Sequence, residues 1–71
     1  MKIQGIELVE GKHEGEPVVY LPPEANGDRA HAKVEFGKIS SWNDMFVFVK
    51  FEKYGINARG QAVSPHMLEW D

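Results

Sequence analysis

The chain has 71 residues, of which 42% are apolar and 27% charged, with seven Gly, four Pro and no Cys. One core at most fits this length; the lack of thiols excludes a disulfide-stapled scaffold or a cysteine zinc knuckle; and no apolar run approaches the roughly 20 residues of a membrane helix. The net charge of −3 is spread as six acids against three bases in residues 1–31 and five of each in residues 32–71, so neither half offers the basic excess of a dominant phosphate-neutralising surface.

Eight aromatics and many β-branched residues can support a core, which argues against disorder. The residues after Met1 alternate apolar and charged and do not form the continuous apolar stretch of a secretory leader. The expectation is a small soluble domain inside the cell.

Taken in chain order, Gln4, Ile6, Glu7 and Leu8 predict a half-buried strand over about residues 3–9. Gly11 to Gly15 read as a turn. Val18-Val19-Tyr20-Leu21 is a short apolar run bounded by Pro17 and Pro22, which place it at an edge or end it abruptly. Pro22-Pro23-Glu24-Ala25-Asn26-Gly27-Asp28 is a stronger break, with Asn26-Gly27 tolerating positive φ. Val34 to Ser41 is the next strand, and Met45 to Glu52 the clearest, through Phe46-Val47-Phe48-Val49-Lys50-Phe51. Tyr54 to Gly60 is a further break. Gln61-Ala62-Val63 and Met67 to Trp70 are short strands. Ser64-Pro65-His66 between them predicts a single 3₁₀ turn. No segment is long enough for an ordinary amphipathic helix. Five or six short strands with tight turns indicate a small antiparallel barrel.

Register at the central hairpin follows from side-chain alternation. A two-residue loop of Asn43-Asp44 would force Lys38 inward beside Val49. A three-residue loop of Asn43-Asp44-Met45 pairs Gly37 with Phe51, Ile39 with Val49 and Ser41 with Val47, and turns Lys38 outward. The second register is preferred. Met45 fits the required left-handed position poorly, so a longer loop or a bulge is the expected relief. Phe46, Phe48 and Lys50 then share the outer face with Lys38 and Ser40, with Trp42 at the tip. Such an aromatic and cationic face could hold a peptide or single-stranded bases. The competing reading is that Ile3, Ile6, Leu8 and Val9 cover Phe46 and Phe48 as a second small core.

Other chemistry is weakly signalled. His13-Glu14 with Glu16, and Asp28 with His31, match neither a closed zinc site nor a helical His pair, and Asp28 reads equally as a turn cap. No Gly-x-Ser-x-Gly elbow surrounds Ser40, Ser41 or Ser64, and no glycine pair opens a phosphate-binding fingerprint. No metal, cofactor or catalytic residue is expected, and an enzyme is not.

The order of short strand, strong hairpin, short strand, Pro-containing turn and final strand resembles an SH3-like barrel. The segment Gly37 to Phe51, preceded by Val19-Tyr20-Leu21-Pro22-Pro23, Gly27-Asp28 and His31 and followed by Ser64-Pro65 and Leu68-Glu69-Trp70, is similar to a hairpin of small phage- and prophage-encoded proteins. The resemblance spans about residues 18–70. It implies an SH3-like fold and a bacterial cytoplasmic setting, with no implied mechanism. The resulting expectation is a single all-β domain, with residues 1–21 an N-terminal strand or hairpin extension and residues 30–70 the barrel. Its function is expected to be non-catalytic binding of a protein partner through Trp42, Phe46, Phe48, Lys38 and Lys50. The alternatives are weak single-stranded nucleic-acid binding through the same rings with Lys38, Lys50, Lys53 and Arg59, and an assembly role as a homo-oligomer.

Overall fold

The run of β-branched and aromatic residues in the middle of the chain forms the longest hairpin, β4 (Glu35–Trp42) and β5 (Val47–Phe51). A computed structural model of the chain describes all 71 residues. Before this hairpin lie β1 (Lys2–Ile3), β2 (Ile6–Glu7) and β3 (Pro17–Tyr20), and after it β6 (Gln61–Val63) and β7 (Leu68–Trp70). Three 3₁₀ segments, Pro23–Ala25, Glu52–Asn57 and Pro65–Met67, complete the regular structure. The 3₁₀ turn expected near the C-terminus is present, and two further ones occupy breaks that the sequence marked only as turns. No helix is long and apolar enough to cross a membrane.

The main sheet has the order β6-β5-β4-β3-β7, with every neighbouring pair antiparallel. The first of its strands therefore pairs with the last, and β3 belongs to the sheet proper. Within residues 1–21, expected as an N-terminal strand or hairpin extension, β1 and β2 stand apart from the main sheet and β3 does not. Pro17 is tolerated because it opens β3, where a missing N–H costs least.

A separate two-stranded hairpin is made by β1 and β2, with Ile3 opposite Ile6. The single strand expected over residues 3–9 is thus broken at Gln4-Gly5. Their φ angles are 47° and 79°, both positive, as a two-residue type I′ turn demands. The turn puts Ile3 and Leu8 inside and leaves Ile6 half exposed.

One core of nine buried residues gathers Ile3, Leu8, Val18, Ile39, Val47, Val49, Phe51, Val63 and Leu68. The N-terminal hairpin closes the inner face of the sheet, on the side of Val47 and Val49. It does not cover Phe46 and Phe48, as the competing reading expected. The reason is alternation: Val47 and Val49 are fully buried, Phe48 lies between them on the opposite side, and Ile3 and Leu8 fill the space over the valines.

Two side-chain contacts lock the hairpin in place. Trp70 donates its indole N–H to the Ile3 carbonyl at 3.0 Å, and its backbone N–H to Gln4 Oε1 at 2.9 Å. Gln4 thereby caps an edge strand that would otherwise present a free donor. His13, 9% exposed, accepts the Val9 N–H on Nδ1 at 2.8 Å and packs its ring 5.4 Å from that of Trp70. A buried imidazole is thus satisfied as a turn acceptor.

The segment between β3 and β4 crosses the outer face near β7. Val19 is fully buried yet lies outside the nine-residue core, paired with Phe36 on one side and Glu69 on the other. Above that row Arg29 donates to Glu69 Oε1 and Asp71 Oδ1, each at 3.2 Å, and to the Trp70 carbonyl at 3.0 Å. Local turns shape the rest: Asp28 Oδ1 accepts the Ala30 N–H at 2.9 Å, and His31 Nδ1 accepts the Lys33 N–H at 3.1 Å.

Candidate functional site

The central hairpin positions every residue expected at the contact face. Gly37 opposes Phe51, Lys38 opposes Lys50 and Ile39 opposes Val49, in the preferred register. Beyond Ile39 the register slips. Ser41 faces Phe48 and Trp42 faces Val47, so a bulge at Ser40 replaces the expected pairing of Ser41 with Val47. The connection becomes four residues, Asn43 to Phe46. Asn43 Oδ1 accepts the N–H groups of both Met45 and Phe46 at 2.8 Å, and the Asn43 N–H donates to the Phe46 carbonyl at 3.0 Å. Both reliefs anticipated for the poor Met45 position, a longer loop and a bulge, occur together.

The bulge also redistributes the aromatic set. One extra residue on β4 flips the alternation, so Trp42 falls on the side of Val47 and packs against the core. Trp42 is therefore corrected from an outer-face residue to a half-buried edge of the core. A second bulge lies on the other flank of β4. Gly15, at φ 84°, donates to the Ile39 carbonyl at 2.7 Å while the Ile39 N–H donates to Glu16 at 3.0 Å. Both irregularities adjoin Ile39, whose side chain is buried.

On the outer face, Phe46 sits at the loop and is 38% exposed. Phe48 is half-buried, because the backbone at Gly60 crosses it; a Cβ at Gly60 would lie 3.2 Å from Phe48 Cβ and 3.6 Å from Ser40 Cβ. The link from the Glu52–Asn57 segment to β6 thus seals Phe48 and Ser40 from one side. Lys38 and Lys50 stay exposed, directly across the ladder from each other, and enter none of the molecule's ion pairs. Like charges directly opposite each other on a ladder are destabilising.

These lysines border a groove of about 610 Å³, whose walls include Gly15, Ser40, Glu52, Gly55, Ile56 and Ala58. Ile56 is fully exposed. It follows Gly55, whose φ of 56° and ψ of −135° are open to glycine alone. Sequence reasoning missed Ile56; the available signal was an isolated β-branched residue inside a Gly-bounded turn.

The remaining cations do not converge with Lys38 and Lys50. Lys53 is ion-paired with Glu35, and its ammonium stands 5.0 Å from the Tyr54 ring centroid. The Glu35 hydrogen bond raises the Lys53 pKa above its ordinary value, and a hydrogen bond from Gln61, aided by the Lys53 charge, lowers that of Tyr54. Arg59 is exposed and unpaired on the link that crosses Phe48. No group of three or more His, Asp or Glu side chains is placed to hold a metal ion. Of the five expected contact residues, Lys38 and Lys50 line one groove, Phe48 lies beside Ser40 under the Gly60 link, Phe46 sits at the loop, and Trp42 lies on the other side of the sheet. Comparisons with protein-family models, with curated proteins and with solved structures find no match to this chain.

Proposed function

We propose that this chain is a non-catalytic binding module with an SH3-like barrel architecture, which engages a protein partner on the outer face of β4 and β5. The architecture is supported by the strand order, in which the first strand of the main sheet pairs with the last and a 3₁₀ turn joins the final two strands. The phage and bacterial cytoplasmic setting rests on the hairpin resemblance. One observation carries the contact face. The N-terminal hairpin, the only segment expected to cover it, packs on the opposite side, which leaves Phe46, Lys38 and Lys50 open. A protein partner is favoured over nucleic acid because Lys53 is already engaged by Glu35 and the whole molecule carries −3.

The test is selection of peptides from a displayed random library on the immobilised domain. Selected peptides should shift amide resonances of residues 38–40 and 46–50, and Phe46→Ala should lose them while remaining folded by circular dichroism. No enrichment, or shifts confined to the other side of the sheet, overturns the reading. A labelled oligothymidine bound at about 50 mM salt, where phosphate contacts are strongest, would move the assignment to nucleic acid. A concentration-dependent mass in light scattering, abolished by Phe46→Ala, would move it to self-assembly.

A further inference from the structure

We propose that the groove between the outer face of β4–β5 and the Glu52–Asn57 segment receives an extended partner segment that combines carboxylates with an apolar side chain. This rests on the docking face proposed above and names the chemistry of its occupant. Three features of the groove point the same way.

The first is charge. Lys38 and Lys50 oppose each other and form no ion pair within the chain, although the chain has more acids than bases. A carboxylate seated between them removes the mutual repulsion and gains two ionic contacts. The second is Ile56, fully exposed beside Gly55 and among the residues that line the same groove. An exposed β-branched side chain on a conformationally restrained turn offers apolar area at small entropic cost. The third is Glu52, which borders the same groove. It repels a segment acidic along its whole length and favours one that alternates acid with apolar residues. A phosphate backbone, charged at every step, is disfavoured for the same reason.

The experiment uses the ¹⁵N-labelled full chain and three probes. These are a ten-residue serine-rich peptide with a glutamate-leucine-glutamate centre, the same peptide with lysine in place of glutamate, and decathymidine. The acidic peptide should shift the amides of Lys38, Ser40, Lys50, Ile56 and Ala58, and the basic peptide should not. Lys38→Gln with Lys50→Gln should weaken binding about tenfold. Lys38→Glu with Lys50→Glu should transfer the preference to the lysine peptide. Both lysines are exposed, so neither variant removes a core contact. Ile56→Ser should weaken the acidic peptide and leave its charge preference intact. Equal binding of both peptides, shifts outside the groove, or decathymidine binding alone would overturn the inference. Library-selected ligands that shift Phe46 and lose affinity on Phe46→Ala, yet spare the groove and lack acids, would overturn it while leaving the docking face standing.

Discussion

Gly37→Ala tests the register on which the outer face depends. Gly37 is buried opposite Phe51, and its φ is not in the left-handed region, so the substitution carries no backbone strain. A methyl placed there would lie 2.6 Å from Val49 Cγ1 and 2.7 Å from the Lys50 carbonyl oxygen. Val49 is fully buried and β-branched, so its χ1 has little freedom to move away. The second obstacle is backbone within the ladder itself. β4 and β5 must therefore separate locally. Overpacking of this kind costs about 1–3 kcal/mol, and the rigid wall puts this site near the upper end. The lower entropy of unfolded alanine returns about 0.4–1 kcal/mol. The net loss of about 2 kcal/mol is large against the roughly 3–5 kcal/mol available to a domain this small. At about 4–8 °C per kcal/mol, the melting temperature should fall by about 8–16 °C. Gly60→Ala is the control. Its methyl would meet only Phe48 Cβ, at 3.2 Å, and Ser40 at 3.6 Å, and a small shift of the exposed link accommodates it. It should stay within about 0.5 kcal/mol of the parent. Thermal melts followed by circular dichroism decide the matter. A Gly37→Ala variant melting within about 3 °C of the parent, or a Gly60→Ala variant falling as far, would refute the register.

Four further outcomes follow from the same geometry. His13→Ala removes the acceptor for the Val9 N–H and the ring against Trp70, and should cost about 2 kcal/mol in urea unfolding with faster exchange of the Val9 amide. Gln4→Ala removes the acceptor of the exposed Trp70 N–H and should cost about 0.5–1.5 kcal/mol, whereas Gln4→Gly, which relieves the left-handed backbone at φ 47°, should cost less. The Glu7 carboxylate is held below the usual carboxylate range, chiefly by its hydrogen bond from the N-terminal ammonium at 2.7 Å. A lowered folded-state pKa contributes stability that is complete above the unfolded value and disappears as pH falls through the folded one. Acid melts of Glu7→Gln should therefore lose part of the parent's pH dependence in that window. Lys50→Glu places opposite charges across the ladder from Lys38 and should raise stability by a few tenths of a kcal/mol in chemical denaturation while weakening the acidic peptide.

Much of the strand pattern could be read from local signals. The break residues fell where expected because Gly, Pro, Asn and Asp act within a few residues of themselves. The outward direction of Lys38 and the pairing of Ile39 with Val49 followed from alternation alone. What escaped was non-local or depended on a single inserted residue. The bulge at Ser40 reverses the side on which Trp42 falls, and nothing in Ser40-Ser41 distinguishes a bulged pair from a regular one. The side covered by the N-terminal hairpin is equally hidden, since Ile3, Ile6 and Leu8 supply apolar groups in either direction and the contacts that hold it run from Ile3 and Gln4 to Trp70 at the other end of the chain. Arg29 reaches Asp71 across 42 positions, and Gly60 approaches Phe48 only once β6 is in place.

The two faces of the sheet differ in how far their groups are satisfied within the chain, although Val19 is buried on the outer face as well. On the inner side the core, the Trp70 donors and the His13 acceptor all find partners within the chain. On the outer side the same ladder sets two ammonium groups opposite each other and leaves Ile56 in water. Neither feature stabilises the fold: the lysine pair opposes it, and an exposed isoleucine contributes nothing to the core. Changing either lysine to an acid would remove the repulsion without disturbing a buried residue. In the binding proposed above, the sign of that repulsion is reversed by a group from the partner. A carboxylate does so, because the proximity that makes the two lysines unfavourable in the free domain makes them cooperate once an anion lies between them.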